Sequence, residues 1–510
     1  MRRLRWIWGF GLTLAGCAGT SPNLSTPQMQ TPQLGNGFGN RSAASAPGAA
    51  AEASLPALEP VKTPDQAFLA DPYLNLGNHP GLGKTDTLAL LWHAAPDEKA
   101  VWSVEVRPSS GGVWKPAEKP TRKTVAVKDV APFEILTANL PGLKPGALFD
   151  YRVVKSGTPV FSARARARRG AKEPERVVIV GDHASGLPES KKVAFQISQA
   201  RPDLIVDTGD MVYDKGRISE YRDHFYPVYN AEGAPDAEKG ASLTRSTLWA
   251  GVPGNHDIAS ADLDKYPDGK AYFYLWNQPL NGPSGLGKSI SPISGADANQ
   301  KAFLSAAGAA YPRAASYSFD AGSAHWTVLD SNSYVNWADP TLVSWLEKDL
   351  KSSKATWKFV AFHHPPFHSS EEHKDDQWMR ALCPIFEKYK VAIVWNGHVH
   401  NYQRTFPLKF AITKPRDAKG IVEGTFAFDK EYDGQTKTKP TAPIYVVTGG
   451  GGAKLYSPDL DDKPEKWKPF TKKYVGSANS FSVMDIDGKK LTIQQLSLDG
   501  KELDRFVVTQ

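Results

Sequence analysis

Five short blocks of this chain carry side chains that bind metal ions, and they recur in a fixed order. They are Gly181-Asp182, Gly209-Asp210-Met211-Val212-Tyr213, Gly254-Asn255-His256-Asp257, His363-His364-Pro365 and Gly397-His398-Val399-His400. Most follow a short apolar run, at residues 177–180, 204–206, 247–252, 359–362 and 391–395. Such runs read as parallel strands buried on both faces. In open α/β sheets, ligand sites form outside the carboxyl ends of the strands. Carboxylates, imidazoles, a carboxamide and a phenol are therefore expected on loops at one sheet edge. That donor set suits metal-assisted hydrolysis. A lone histidine is more often a satisfied core or loop residue than a ligand. Here order, spacing and strand context coincide across every block.

The elements that must position these residues alternate between strand and helix, with residues 189–200 helical. That alternation predicts an α/β layered core, a β-sandwich flanked by helices. Residues 258–310 are rich in Gly, Ser, Pro and Asn and read as a surface loop over the site. Residues 481–508 read as strands joined by hairpin turns at Asp487-Gly488 and Asp499-Gly500. Before the catalytic region, residues 71–168 show a β pattern with no residue set suggesting chemistry. The predicted organisation is residues 1–16 as a signal peptide, 17–65 as a Pro/Ser/Ala-rich tether, 66–170 as an all-β sandwich and 171–510 as the catalytic domain.

The amino terminus has a basic start (Arg2, Arg3, Arg5) and a short apolar stretch over 6–14, too short to span a bilayer as a mature helix. Removing that segment leaves 58 basic against 54 acidic residues, a weak positive balance compatible with anionic substrates. No nucleic-acid binding is indicated, since no Lys/Arg blocks interleave with aromatics. Leu14-Ala15-Gly16-Cys17 resembles the lipobox of bacterial lipoproteins. The resemblance implies export, acylation at Cys17 and a lipid anchor on the periplasmic or cell-surface side of a bacterial membrane. Cys383 is then a lone thiol, expected as a small buried hydrophobe within a helical stretch that Pro384 kinks.

The ordered blocks resemble the calcineurin-like metallophosphoesterases, and within them the purple acid phosphatases. The superfamily usually places a histidine two residues after the first aspartate, where this chain has Ala184. Purple acid phosphatases instead have a tyrosine three residues after the second aspartate, and Tyr213 stands there. Residues 140–146 and 149–154 resemble a turn and strand of fibronectin type III-like sandwiches. Carried over residue by residue, the resemblance implies one metal site from Asp182, Asp210, Tyr213 and His400. It implies a second from Asp210, Asn255, His363 and His398, with Asp210 bridging. It further implies two metal ions, Fe(III) plus a divalent Fe, Zn or Mn, and His256 and His368 as histidines that handle the leaving group. His183, His364 and His373 are expected outside the ligand set. Gly449–Gly452 is expected as a structural turn. Gln403 stands where many relatives carry glutamate.

The function expected is hydrolysis of phosphate monoesters by a metal-bound hydroxide. The same centre leaves open a phosphodiesterase or nucleotidase. An alternative of another class is a non-catalytic phosphate-binding or adhesion lipoprotein.

Overall fold

The computed structural model describes residues 55–58, 61, 63–64, 67–284 and 290–510. The expected signal peptide, Cys17 and nearly all of the tether lie outside the described residues. Among those described, no helix is long and apolar enough to cross a membrane.

Residues 70–166 form two four-stranded antiparallel sheets, as the all-β pattern predicts. Their facing sides bury Trp92, Trp102, Tyr151 and Phe161. Polar contacts fix this sandwich to the region that follows. The Arg168 side chain, 3% exposed, pairs with Asp86 and donates to the carbonyls of His79, Pro80, Gly81 and Asp320. A buried guanidinium is tolerated when its fork is this fully satisfied.

The region that follows the sandwich is a pair of stacked mixed sheets. The first has the order Leu248–Ala250, Leu204–Asp207, Glu175–Val180, Ser480–Asp487, Lys490–Ser497, Glu502–Thr509. The second contains Tyr317–Ala321, Ala324–Val328, Trp357–Ala361, Ile393–Asn396, Ile444–Thr448, Tyr402–Thr405 and Thr471–Val475. Alternate residues of each central strand serve two cores, as the strand period requires. Val177, Ile179, Leu204, Phe359 and Trp395 point between the sheets. Val178, Val180 and Ile205 face outward onto helix Pro188–Ala200, which buries Val193, Ala194 and Ile197. Val360 and Val394 face helix Pro340–Ser352, which buries Leu342, Leu346 and Leu350. That helix starts where Pro340 presets φ and the Asp339 carboxylate accepts from the Thr341 N–H at 2.7 Å.

Two expectations change. The described residues of 258–310 are not a surface loop. They hold the helices Tyr272–Leu275 and Asp297–Ala307, and Tyr272, Phe273, Tyr274, Leu275 and Trp276 are all buried. Aromatics in a Gly/Pro-rich frame contribute large apolar areas without any helical period. Pro384 does not kink a helix. It opens one, Cys383–Lys388, after the 3₁₀ turn Trp378–Leu382, and Cys383 is a buried free thiol as expected.

Candidate metal centre

The five blocks come together at the carboxyl ends of the two sheets' strands. Asp182, Asp210 and His398 all adopt left-handed backbone, with φ of 58°, 53° and 68°. Asp and His enter that region more readily than most residues. Each such residue costs about 1–3 kcal/mol, a cost that clusters at functional sites. The sharp reversal just past a strand end is what aims these side chains over the sheet edge. The motif glycines allow the close approach. A Cβ on Gly397 would lie 2.6 Å from Asp182 Oδ2, and one on Gly254 would collide with Asp210 Oδ1.

On one side, Asp182, Tyr213 and His400 converge. Tyr213 Oη lies 3.2 Å from both Asp182 Oδ1 and His400 Nε2, and His400 Nε2 is 3.3 Å from Asp182 Oδ1. On the other, His363 Nε2 lies 3.1 Å from Asp210 Oδ2 and 3.1 Å from Asn255 Oδ1. His398 completes this group, its donor atom falling within 4.8 Å of those of Asp210 and His363.

Tautomers follow from the second ring nitrogens, because a carbonyl can only accept. His363 Nδ1–H donates to the Thr208 carbonyl at 2.8 Å, and His400 Nδ1–H to the Lys454 carbonyl at 2.7 Å. In its neutral form each ring therefore turns an Nε2 lone pair inward, as metal-ligating imidazoles do. His398 is the reverse case. Its Nε2–H donates to Asp376 Oδ2 at 3.0 Å, leaving Nδ1 as its ligand atom.

Electrostatics favour a cation here. Asp182 and Asp210 are 0% and 1% exposed, and among the described residues their ion-pair partners are histidines. Burial alone would raise Asp210, but His363, His256 and His398 outweigh it and hold the carboxyl below the usual range. Burial depresses His363, and Asp210 more than reverses this, to about 10. Burial, then the Asp182 and Asp210 charges, push the Tyr213 phenol well above 10. Two buried carboxylates, a phenol, an amide oxygen and three imidazoles on one patch fit metal ions by donor chemistry.

His256 stands at the edge of the centre. Its Nδ1–H donates to the Asp214 carbonyl at 2.8 Å, and its Nε2 faces Asp210 Oδ2 at 3.8 Å. His368 sits further back. Its Nε2–H donates to the His373 carbonyl at 3.2 Å, none of its hydrogen bonds reaches a candidate ligand, and burial pushes it down to about 4. His183 turns away from the centre and pairs with buried Asp207 at 2.6 Å. Gly449–Gly452 forms a turn in which two amides are taken, Gly451 N–H donating to the Gly181 carbonyl and Gly449 N–H to that of Asn401. Gln403 accepts from the Ser369 N–H at 2.7 Å and so braces the loop that carries His368. Sequence alone missed Asp376, which forms a second three-residue donor group with His398 and with His373, a residue expected outside the ligand set. Their one local signal is the His-x-x-Asp spacing in a charged loop.

Residues 175–402 match the family described as calcineurin-like phosphoesterase. A purple acid phosphatase of Glycine max is 30% identical over 317 residues, 61% of this chain and 58% of that protein. Purple acid phosphatase 15 of Arabidopsis thaliana is 24% identical over 360 residues, 65% of this chain and 56% of that protein. The chain thus spans little more than half the length of these relatives. In fold it is similar to purple acid phosphatase PPD1 from yellow lupin (Lupinus luteus) seeds, with a TM-score of 0.57 at 20% identity over 86% of this chain and 74% of that one. It is also similar to PhoD, with a TM-score of 0.52 at 13% identity over 89% and 90%.

Proposed function

We propose, from the premise that residues 175–402 are a calcineurin-like phosphoesterase region of purple acid phosphatase type, that this chain hydrolyses phosphate monoesters at a two-metal centre. The observation that carries this is the place of Asp210, against His363 on one side and within the field of Tyr213 and His400 on the other. Asp182, Tyr213 and His400 would hold one ion, and Asn255, His363 and His398 the other, with Asp210 shared. The oxygen-rich first set, with its phenol, suits Fe(III). The imidazole-rich second suits divalent Fe, Zn or Mn. When bound, the pair supplies a nucleophilic water of lowered pKa and clamps the attacking and leaving oxygens.

The chain's own residues do the remainder. The Thr208 and Lys454 carbonyls fix His363 and His400 in the ligating tautomer. The Asp214 carbonyl orients His256 so that its Nε2 can deliver a proton to a leaving alkoxide. His368, behind the His373 carbonyl, is a second candidate for proton handling. We further propose that residues 66–170 are a fibronectin type III-like domain, residues 171–510 the catalytic domain, and the mature chain an exported lipoprotein anchored through Cys17.

The test is Asp210→Asn against an aryl phosphate, with metal content measured alongside. Outer-sphere losses at metal sites already cost roughly 10–100-fold, so removing a bridging carboxylate should cost about a hundredfold or more. Asn255→Ala should be milder and partly restored by added divalent metal. Wild-type turnover and metal content in Asp210→Asn would overturn the assignment.

A further inference from the structure

Beside the metal centre lies a buried pair that the proposed hydrolysis does not use. His183 and Asp207 are both 0% exposed, and His183 Nε2–H donates to Asp207 Oδ2 at 2.6 Å. The imidazole packs edge-on against Tyr229, 4.8 Å away between ring centroids, and tilted against Trp249 at 5.7 Å.

Asp207 gathers donors from all three strand ends that carry candidate ligands in the first sheet. His183 follows Asp182 at the end of strand Glu175–Val180. The Gly209 N–H, one residue before Asp210, donates to Asp207 Oδ1 at 2.7 Å. Trp249 Nε1–H, on the strand Leu248–Ala250 that leads to Asn255, donates to Oδ2 at 3.3 Å. Backbone bonds tie the first two turns together. Asp182 N–H donates to the Gly209 carbonyl at 2.9 Å, and His183 N–H to that of Asp210 at 3.3 Å.

A buried carboxylate is costly unless its lone pairs are satisfied, and here three donors satisfy it. An apolar pair of similar volume would often support a fold as well. Apolar contact has no direction, however, whereas hydrogen bonds converging on one carboxylate fix angles and distances. Asp182 and Asp210 both need such fixing, because each holds a left-handed backbone.

We propose that His183 and Asp207 are positioning residues that set the spacing of the turns bearing Asp182 and Asp210, and so the affinity for the metal held by Asp182, Asp210, Tyr213 and His400. The inference rests on the two-metal reading above. Neither side chain is itself a proposed ligand.

Three variants of the full chain test this, with circular dichroism as the folding control. His183→Leu removes the donor. His183→Gln keeps an amide that can donate to Asp207. Asp207→Asn keeps an acceptor for the Gly209 N–H and removes the charge. In the metal-free protein, amide hydrogen exchange over residues 182–185 and 208–212 should be faster in His183→Leu and Asp207→Asn, and near wild type in His183→Gln. In a metal titration followed by elemental analysis, the first two variants should lose about tenfold or more in affinity for one of the two ions, and His183→Gln should retain it. At saturating metal, kcat should approach wild type in all three, since no proposed ligand is lost. Wild-type affinity in both His183→Leu and Asp207→Asn overturns the proposal. So does a His183→Gln that behaves like His183→Leu, or a loss of folding in both disruptive variants, which would make the pair a support of the fold alone. A wild-type protein that binds no metal overturns the two-metal reading instead, and exchange alone then decides whether the pair sets the turns.

Discussion

One oxygen of Asp376 holds two imidazoles: Oδ2 lies 3.0 Å from His398 Nε2 and 3.2 Å from His373 Nδ1. The two rings sit 3.9 Å apart, centroid to centroid. Burial would raise the Asp376 carboxyl, but His373 and His398 together hold it well below the usual range. A carboxylate behind a ligating histidine fixes its tautomer and its aim.

Asp376→Asn should therefore weaken the metal held by Asp210, His363 and His398 about 10–100-fold. Activity should recover at saturating divalent metal, because no proposed ligand is lost. A metal titration followed by elemental analysis gives the affinity directly. If affinity does not change, this carboxylate does not orient His398.

Tyr213 is the residue that would separate the proposed centre from its relatives. A phenolate on ferric iron gives a visible charge-transfer band, so Tyr213→Phe should lose that band while the ring keeps its packing against His256, 4.5 Å away. Activity should fall less than in Asp210→Asn, since solvent can fill the vacated position. Visible spectra of matched iron-loaded proteins decide it. A band that survives the substitution assigns the colour elsewhere.

His325 offers a stability test away from the centre. Its Nδ1 meets Asp320 Oδ1 at 2.7 Å and its Nε2 meets Asp349 Oδ2 at 3.1 Å. Burial lowers this imidazole, but the two carboxylates outweigh it and raise it from 6.5 to about 9. The folded value lies above the unfolded one, so the contribution is complete below pH 6.5 and is lost as pH rises through 9. Asp320 is partly exposed and screened, so about 2 kcal/mol is expected. Urea denaturation between pH 6 and 10 should show this decline in wild type and a flatter profile in His325→Gln. Parallel profiles would mean that the imidazole is not charged in the fold.

The proposed anchor is tested chemically. Cys17→Ser should block acylation and move the protein out of the membrane fraction. Mass spectrometry of the mature amino terminus should find a lipid on Cys17 in wild type. An unlipidated terminus at another residue would end the lipoprotein proposal.

The candidate ligands could be found in the sequence because each block is locally encoded. An apolar run specifies a buried strand, a Gly precedes the first ligand in four of the five blocks, and the ligands sit on the turn at that strand end. Asp182, Asp210, Asn255, His363, His398 and His400 needed no knowledge of partners to be placed at strand ends. The tertiary structure alone decided which strands lie side by side. Val483 pairs with Val178 across the middle of the first sheet, a contact that closes a loop of some three hundred residues and leaves no short-range pattern. It also buried Tyr272–Leu275, where apolar area rather than periodicity set the outcome. It brought Asp376 beneath His398 as well. A polar residue in a charged loop carries no signal of what it will face, because its partner is fixed only when distant strands pack and exclude water from the space between.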